Sequence, residues 1–531
     1  MSFTSTAFIL FAALTLLVYY LVPKRAQWVV LLVVSLGFYA TYDLWYLPFL
    51  AVTVFSTWLF ALVIAKKAGQ AEAYLAANRE SMTKDERKAY KATAKKRRLP
   101  FLIIGLALNF GILGVLKYTG FVLGEVNSII SLFGENGLTI PSLLLPLGIS
   151  FYIFRSTAYL IDVYWGKIQP ESNVAKYALF VSFFPAVIQG PICRFGDLSH
   201  QFFTPHKAEW SHLSEGFLRV LWGFFKKVVI ADTAMIAVKA IIARPDAMDG
   251  MYVLLLIILY SAVIYGDFTG GVDVTIGLSR MMGLTLTENF NHPFSSKSTQ
   301  EYWNRWHMTM GSWFTDYIFN PLSVSNFMTK LGKWCKAHLG KGFARRVPVY
   351  LATIITWFLT GLWHGSSWNF IVWGLLNGLV ILVSRELSPL YAKFHKRFPT
   401  LKENTVYGGF CCVRTFFLMG AIRILDCYRD VPVTFKAFFS IFYDFASWRD
   451  MAGGVWLDKL GLSIPQCLLI LAGVVVVFFV SRRSKTKPVF TEISERPWLY
   501  GAVCGLLVLS ILLLGSYGIG FNAGDFIYGQ F

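Results

Sequence analysis

The chain has 531 residues, of which 56% are hydrophobic, 17% aromatic and only 15% charged, whereas a typical soluble domain carries about a quarter charged residues. Mean hydropathy is +0.54, which excludes an ordinary soluble enzyme. A net charge of +19 would suggest nucleic acid in a soluble protein, but here the basic residues sit in loops between apolar runs, so no nucleic-acid partner is expected.

Apolar stretches at or near bilayer-crossing length, about 17–25 residues, occupy residues 3–22, 45–65, 99–116, 251–265, 464–480 and 499–519. They are continuous and too long for the alternating ten-residue strands of a transmembrane barrel. The chain reads as an all-α polytopic membrane protein. The first stretch has no basic residue ahead of it and no small-residue cleavage site after it, and so reads as a retained span rather than a signal peptide.

Lys24 and Arg25 follow that span. Between Lys66 and Arg98 stand eleven basic residues against Glu72, Glu80, Asp85 and Glu86, and the excess of Lys and Arg places both loops in the cytoplasm. Residues 26–65 then form a two-span hairpin whose outer turn, TYDLWYLP, carries Asp43 and no basic residue, with the N-terminus outside. Residues 70–98 read as a cytosolic helix lying at the membrane surface, opened by the capping box Thr83-x-x-Glu86, its basic face toward anionic lipid headgroups.

From Leu143 the pattern changes. In LLLPLGISFYIFRSTAYLIDVYWGK, FFPAVIQGPICRFGDL and IYGDFTGGVDVTIGLSRMMG, apolar runs are interrupted by Gly, Pro and single charges. Irregular backbone at membrane depth survives only where protein buries it or it lines a wet cavity, so these pieces are expected to surround one. Arg155, Asp162, Arg194, Asp267 and Asp273 in or beside them are functional candidates by default; the alternative for each is a structural ion pair or a snorkelling end residue. GDFTGGVD matches neither a Walker loop nor GxGxxG and reads as tight helix packing or a re-entrant turn.

Residues 291–322 are too polar for a simple span, yet carry four aromatics between Tyr302 and Trp313; they read as an amphipathic or partly re-entrant helix. His307 within them has no Cys, Asp or Glu at metal-ligand spacing, so no metal is expected. Further on, SRRSKTKP (481–488) is a second basic loop, with one more span after it. The seven cysteines lie mostly in apolar segments without CxxC spacing and read as small buried hydrophobes.

The run GLWHGSSWNF (361–370) sets a single imidazole, His364, in an otherwise apolar stretch. A lone His on an apolar helix is more often a satisfied core residue than a catalyst. Here Gly361, Gly365, Ser366 and Ser367 leave room beside the ring, and Trp363, Trp368 and Asn369 offer N–H donors. Loss of water favours the neutral imidazole, the form a general base requires. A neutral base near a hydroxyl, with donors aimed at a carbonyl oxygen, suffices to transfer an activated acyl group.

GLWHGSSWNFIVWGLLNG, with EYWNRWHMTMGSWFTDYIF upstream, resembles the membrane-bound O-acyltransferase (MBOAT) superfamily, and within it the branch of bacterial alginate O-acetyltransferase membrane subunits. The resemblance extends through LLLPLGISFYIFRSTAYLIDVYWGK, FFPAVIQGPICRF, FFKKVVIADT and GLSRMMGLTLTENFNHPF, covering residues 143–378 strongly and the first three spans more loosely. It implies a ring of about 11 or more transmembrane helices around central re-entrant helices, with a funnel on each face. It also implies that His364 of WHG is catalytic and that His307 of RWH is a second functional residue near it. Arg305 and Trp306, Trp363, Ser366 and Asn369, and Asp267 are the expected substrate-binding residues.

The chain departs from the branch at YGDFTGGVDVTIG, where an aromatic-rich YFDFSGYSDMAIG is usual; Gly266 and Gly271 are expected to widen or loosen the surroundings of Asp267 and Asp273. It departs again at RILDCYRDV, where an FFRA-like stretch is common. The expected organisation is N-terminal spans over 1–65, a cytoplasmic basic segment over 66–98, a catalytic core over 99–390 and C-terminal spans over 391–531.

The function that the resemblance implies is O-acetyl transfer in the cell (plasma or inner) membrane. Acetyl-CoA would be the cytoplasmic donor, no cofactor would be tightly bound, and an SGNH-hydrolase-type transferase would be the extracytoplasmic partner for a cell-surface or exported polysaccharide. The basic loop over 66–98, or Lys226 and Lys227, would attract the donor's phosphates. Two alternatives remain at this point. One is D-alanyl transfer from an acyl carrier protein thioester to teichoic acid, and the other, of a different class, is a transporter whose broken helices line a permeation path.

Overall fold

In the computed structural model, residues 3–134, 137–247, 249–484 and 488–517 are described. Residues 485–487 of the SRRSKTKP loop, and residues 518–519 at the end of the last apolar run, lie outside them. Among the described residues the chain is helical, with no β-strand. Among the described residues eight helices are long and apolar enough to cross a membrane, consistent with a multi-pass membrane protein. The expected count of about 11 or more also takes in apolar helices shorter than that length. α1 (Thr6–Leu21) has 16 residues, below the ~20 a span needs, and the apolar segment after residue 210 is interrupted by a π-helical turn.

Contacts divide the chain into two units, Met1–Glu209 with Met282–Leu286, and Trp210–Met281 with Thr287–Phe531. In the first unit, α2 (Gln27–Ala40) turns tightly into α3 (Tyr46–Ala77), which pairs with α4 (Lys84–Ser131). The Thr83/Glu86 capping box is present: the Thr83 hydroxyl accepts from Glu86 N, and Glu86 Oε2 accepts from Thr83 N at 2.7 Å. Residues 84–98, however, are not a separate surface helix. They are the opening turns of a 48-residue helix that runs on through Pro100 into the apolar stretch. At 1.5 Å per residue α4 is roughly 70 Å long, more than twice the hydrocarbon thickness. Gly105 marks where α4 meets its neighbours, since a Cβ there would lie 2.6 Å from Leu160 and 3.2 Å from Phe60.

The interrupted segments of this unit show how irregular backbone is satisfied without water. Helix α5 (Ile149–Trp165) is buried along nearly its whole length. Beside it α6 (Val174–Ser182) stops at Phe183, and a single turn, Phe184–Val187, follows. The amide of Phe184 donates to Ser35 Oγ at 3.1 Å. Arg155, 1% exposed, donates to the carbonyls of Phe180 and Ala186, each at 3.2 Å. Carbonyls at a helix C-terminus carry partial negative charge, so this guanidinium staples the broken helices together. Asp162 meets Lys167 at 3.4 Å.

The second unit opens with α7 (Trp210–Phe224), which widens into a π-helix over Phe225–Ala231 and continues as Asp232–Ile242. This rod packs along α8 (Met251–Met281). Glycines let the two backbones touch: a Cβ on Gly270 would sit 2.7 Å from the Gly223 carbonyl, on Gly277 2.6 Å from the Gly216 carbonyl, and on Gly266 2.8 Å from the Lys226 carbonyl. GDFTGGVD is therefore tight helix packing. Gly266 does not loosen its surroundings as expected; it permits a close approach that a side chain would block.

Farther on, the short α9 (Met308–Phe314) runs into a second π-helical turn, Thr315–Phe319. The hairpin of α10 (Lys341–His364) and α11 (Trp368–Glu386) comes next, then α12 (Thr405–Tyr428), and finally α13 (Ile464–Ser484) and α14 (Pro497–Leu514). The apolar windows of the last two are only 11% and 6% buried, as helices facing lipid require.

Candidate active site

His364 is the last residue of α10. Its neighbours fix the hairpin rather than clear space for a ligand. A Cβ on Gly365 would overlap the Phe370 ring, and Gly374 brings its own Cβ position to 2.9 Å from Gly361 Cα. The expectation that these glycines leave room beside the imidazole is corrected accordingly, since the room is taken by α11. What flanks His364 is aromatic: the Trp373 ring lies 4.6 Å away and the Trp363 ring 4.9 Å, both edge-on. Trp368, one of the expected donors, is 54% exposed. His364 itself is half-buried.

His307 is fully buried and precedes α9 in a left-handed conformation, φ 48° and ψ 52°. Such a backbone is uncommon outside glycine and persists where the surroundings over-determine it. Its Nδ1 lies 3.2 Å from Asn289 Oδ1. The Phe268 ring stands edge-on at 4.9 Å and the Trp363 ring at 6.0 Å. Trp363 thus touches both imidazoles, and the two are within electrostatic reach of each other. The histidines of WHG and RWH, 57 positions apart in the chain, form one site.

Trp306 anchors the wall beside His307. It stacks on Tyr302 at 5.8 Å with an interplanar angle of 12°, meets Phe290 edge-on at 5.1 Å, and carries the Arg423 guanidinium 4.5 Å over its face. Arg423, from α12, also donates to the Tyr302 hydroxyl. Asn369, at the start of α11, donates to the Leu425 carbonyl at 3.1 Å and accepts from Ser367 Oγ at 2.6 Å. Its amide ties α11 to α12.

The remaining expected residues stand elsewhere. Arg305 pairs with Glu301 at 2.6 Å and donates to Ser295 Oγ at 3.0 Å, an arrangement that braces the turn before His307. Ser366 is half-buried in the turn between α10 and α11. Asp267 accepts from Lys227 at 2.6 Å, and Lys227 also holds Asp232 at 2.8 Å. Lys226 meets Thr269 at 2.6 Å and Asp273 at 2.7 Å, and Arg219 joins Asp273 at 2.9 Å to Glu288, which it grips with two bonds of 2.6 and 2.7 Å. Lys226 and Lys227 are each 3% exposed, so they are not presented to a donor's phosphates. Lys226 is held by Thr269 and Asp273 of α8, and Lys227 by Asp267 of α8 and Asp232 of its own rod.

Three contributors escaped the sequence reading. Asn289 lies inside the ENFNHPF motif but looks like an ordinary turn residue. Trp373 is one of two tryptophans on the apolar helix α11. Arg423 carried a usable signal, a charged residue within the apolar run of α12, which default suspicion of intramembrane charge would have caught.

Residues 171–421, which contain both histidines, match MBOAT, the membrane-bound O-acyltransferase family. The chain is 35% identical over 390 residues to the probable alginate O-acetylase AlgI of Azotobacter vinelandii, an alignment covering 73% of this chain and 69% of the relative. It is 31% identical over 496 residues to the probable alginate O-acetylase AlgI of Pseudomonas aeruginosa, covering 93% and 84%. It is also 30% identical over 407 residues to a peptidoglycan O-acetyltransferase of Helicobacter pylori, covering 72% and 68%. A transporter reading gives way to these relationships: the protein is an acyltransferase and belongs to the membrane-bound O-acyltransferase family.

Proposed function

We propose that the chain moves an acetyl group from acetyl-CoA on the cytoplasmic side of the cell membrane to hydroxyls of a cell-surface or exported polysaccharide, with His364 as general base. The observation that carries this reading is the pairing of His364 with His307 across Trp363. The half-buried state of His364 supports its role, because a base must be reachable by the hydroxyl it deprotonates. In the reaction, His364 takes the proton as the acceptor oxygen attacks the thioester carbonyl. The tetrahedral adduct collapses, the carbon–sulfur bond breaks, and the imidazolium returns the proton to the departing thiolate. An extracytoplasmic transferase of the SGNH-hydrolase type is the expected receiver where the polysaccharide is not acetylated directly.

A second reading has its own support. The chain is 28% identical over 267 residues to a teichoic acid D-alanyltransferase of Bacillus subtilis, covering 49% of this chain and 62% of the relative; here the donor is a carrier-protein thioester. Purified protein in detergent, offered labelled acetyl-CoA and separately a D-alanyl carrier-protein thioester, distinguishes them. Consumption of acetyl-CoA that disappears in His364→Ala is expected. Consumption of the carrier thioester alone moves the protein to the second reading.

A further inference from the structure

Asn289 takes no part in the transfer as written above, yet it is fully buried and faces His307 from the segment that follows α8. Backbone bonds set the frame. Met308 N donates to the Asn289 carbonyl at 2.9 Å, and Asn291 N donates to the Arg305 carbonyl at 2.9 Å. Residues 289–291 therefore run alongside 305–308 and hold the turn in which His307 is left-handed.

The side chain adds a chemical constraint. One terminal atom of the Asn289 carboxamide meets Thr309 N at 3.1 Å, Thr309 Oγ1 at 2.9 Å and His307 Nδ1 at 3.2 Å. A carboxamide can be turned end for end, but a backbone N–H can only donate, so the atom facing Thr309 N is the oxygen. An oxygen facing Nδ1 can only accept, so Nδ1 carries the hydrogen. In a neutral imidazole that leaves the lone pair on Nε2.

We infer that Asn289 is a positioning residue that locks His307 in the Nδ1–H tautomer and so presents Nε2 as an acceptor within the two-histidine site. The catalytic consequence rests on the acyl-transfer reading; the tautomer does not. In the locked form a protonated His364 finds in Nε2 a second place to shed its proton. In the other tautomer it would meet an N–H. The Nδ2 of Asn289 makes no hydrogen bond among the described residues, so the oxygen is the working end. Asn289→Asp keeps that acceptor and loses no bond, whereas Asn289→Leu keeps the approximate shape and deletes it.

The test uses the full chain in lipid nanodiscs with ¹⁵N-labelled histidine, the His307 signals being assigned by their absence in His307→Gln. Wild type is expected to show a protonated Nδ1 and an unprotonated Nε2. Asn289→Asp is expected to keep the Nδ1 proton, and Asn289→Leu to shift His307 toward Nε2–H. In the thioester assay the Leu variant should lose kcat by roughly 10²-fold, the lower end of what general acid–base groups contribute, with donor KM within about twofold. Should Asn289→Leu fail to fold, wild type and Asn289→Asp still decide the tautomer. An Nε2–H signal in wild type, or an unchanged Nδ1–H in a folded Leu variant, overturns the inference. If the tautomer is as expected but neither thioester is consumed, the acyl-transfer reading fails and the assignment of Asn289 stands.

Discussion

Two polar clusters inside the second unit make opposite use of the same low-dielectric surroundings. Around the π-turn of residues 225–231, Arg219, Lys226 and Lys227 are matched with Asp232, Asp267, Asp273 and Glu288 at salt-bridge distance. Around Trp363 the groups are two imidazoles, a carboxamide and tryptophan rings, with one guanidinium held against the face of Trp306. Buried charge was the louder signal, yet it marks the cluster in which each charge is answered by another. The two-histidine cluster holds neutral, hydrogen-bonding and aromatic groups instead, with imidazoles that can gain or lose a proton.

The largest contrast comes from crossing the two clusters. His364→Ala should lower thioester turnover by about 10²- to 10⁴-fold, the range for a general base, with an unchanged melting temperature in detergent. Lys227→Met should do the reverse. It leaves Asp267 and Asp232 buried without their cation, a loss of about 3–5 kcal/mol for a broken buried pair, read as reduced folded yield, while the surviving fraction keeps its donor KM. A Lys227→Met protein that is stable but inactive would erase the distinction.

Asp267→Leu sharpens it further. Lys227 keeps Asp232 as a partner, so this variant should destabilise less than Lys227→Met; equal losses would mean that the cluster acts as a single unit. Arg423→Lys tests the one cation of the other cluster. A planar guanidinium stacks on an aromatic face and a lysine ammonium does not stack in that way, so turnover should fall by roughly tenfold, in keeping with a cation–π contact, with little change in melting temperature.

The smallest effect lies in the first unit. The bond from Thr83 N, and then that from its hydroxyl, hold the Glu86 carboxyl below the usual carboxylate range. The cap is fully present above that range and is lost as pH falls through the lowered value. Amides in the first turn of α4 should exchange faster below it, and Thr83→Ala, at about 1 kcal/mol for a lost N-cap, should reproduce the faster exchange at neutral pH.

Much of this protein is determined by its sequence alone. Apolar length dictates the membrane helices, because runs this long and continuous satisfy their backbone in lipid as helices and not as the short alternating strands of a barrel; the Thr83/Glu86 box dictates where α4 begins; and the WHG and RWH motifs single out His364 and His307. The tertiary structure decided the rest. Whether Asp267 is a ligand-facing group or half of an ion pair depends on Lys227, forty positions earlier, facing it across a glycine-lined helix contact. Whether Gly361 and Gly365 open a pocket or close a hairpin depends on Phe370 and Gly374. The tautomer of His307 is set by Asn289, which adjoins it only because two backbone bonds lay one turn along another. Local sequence governs helix length and caps through short-range hydrogen bonds, but the state of a buried polar group is fixed by whichever partner the fold brings to it, and linear spacing does not encode that partner.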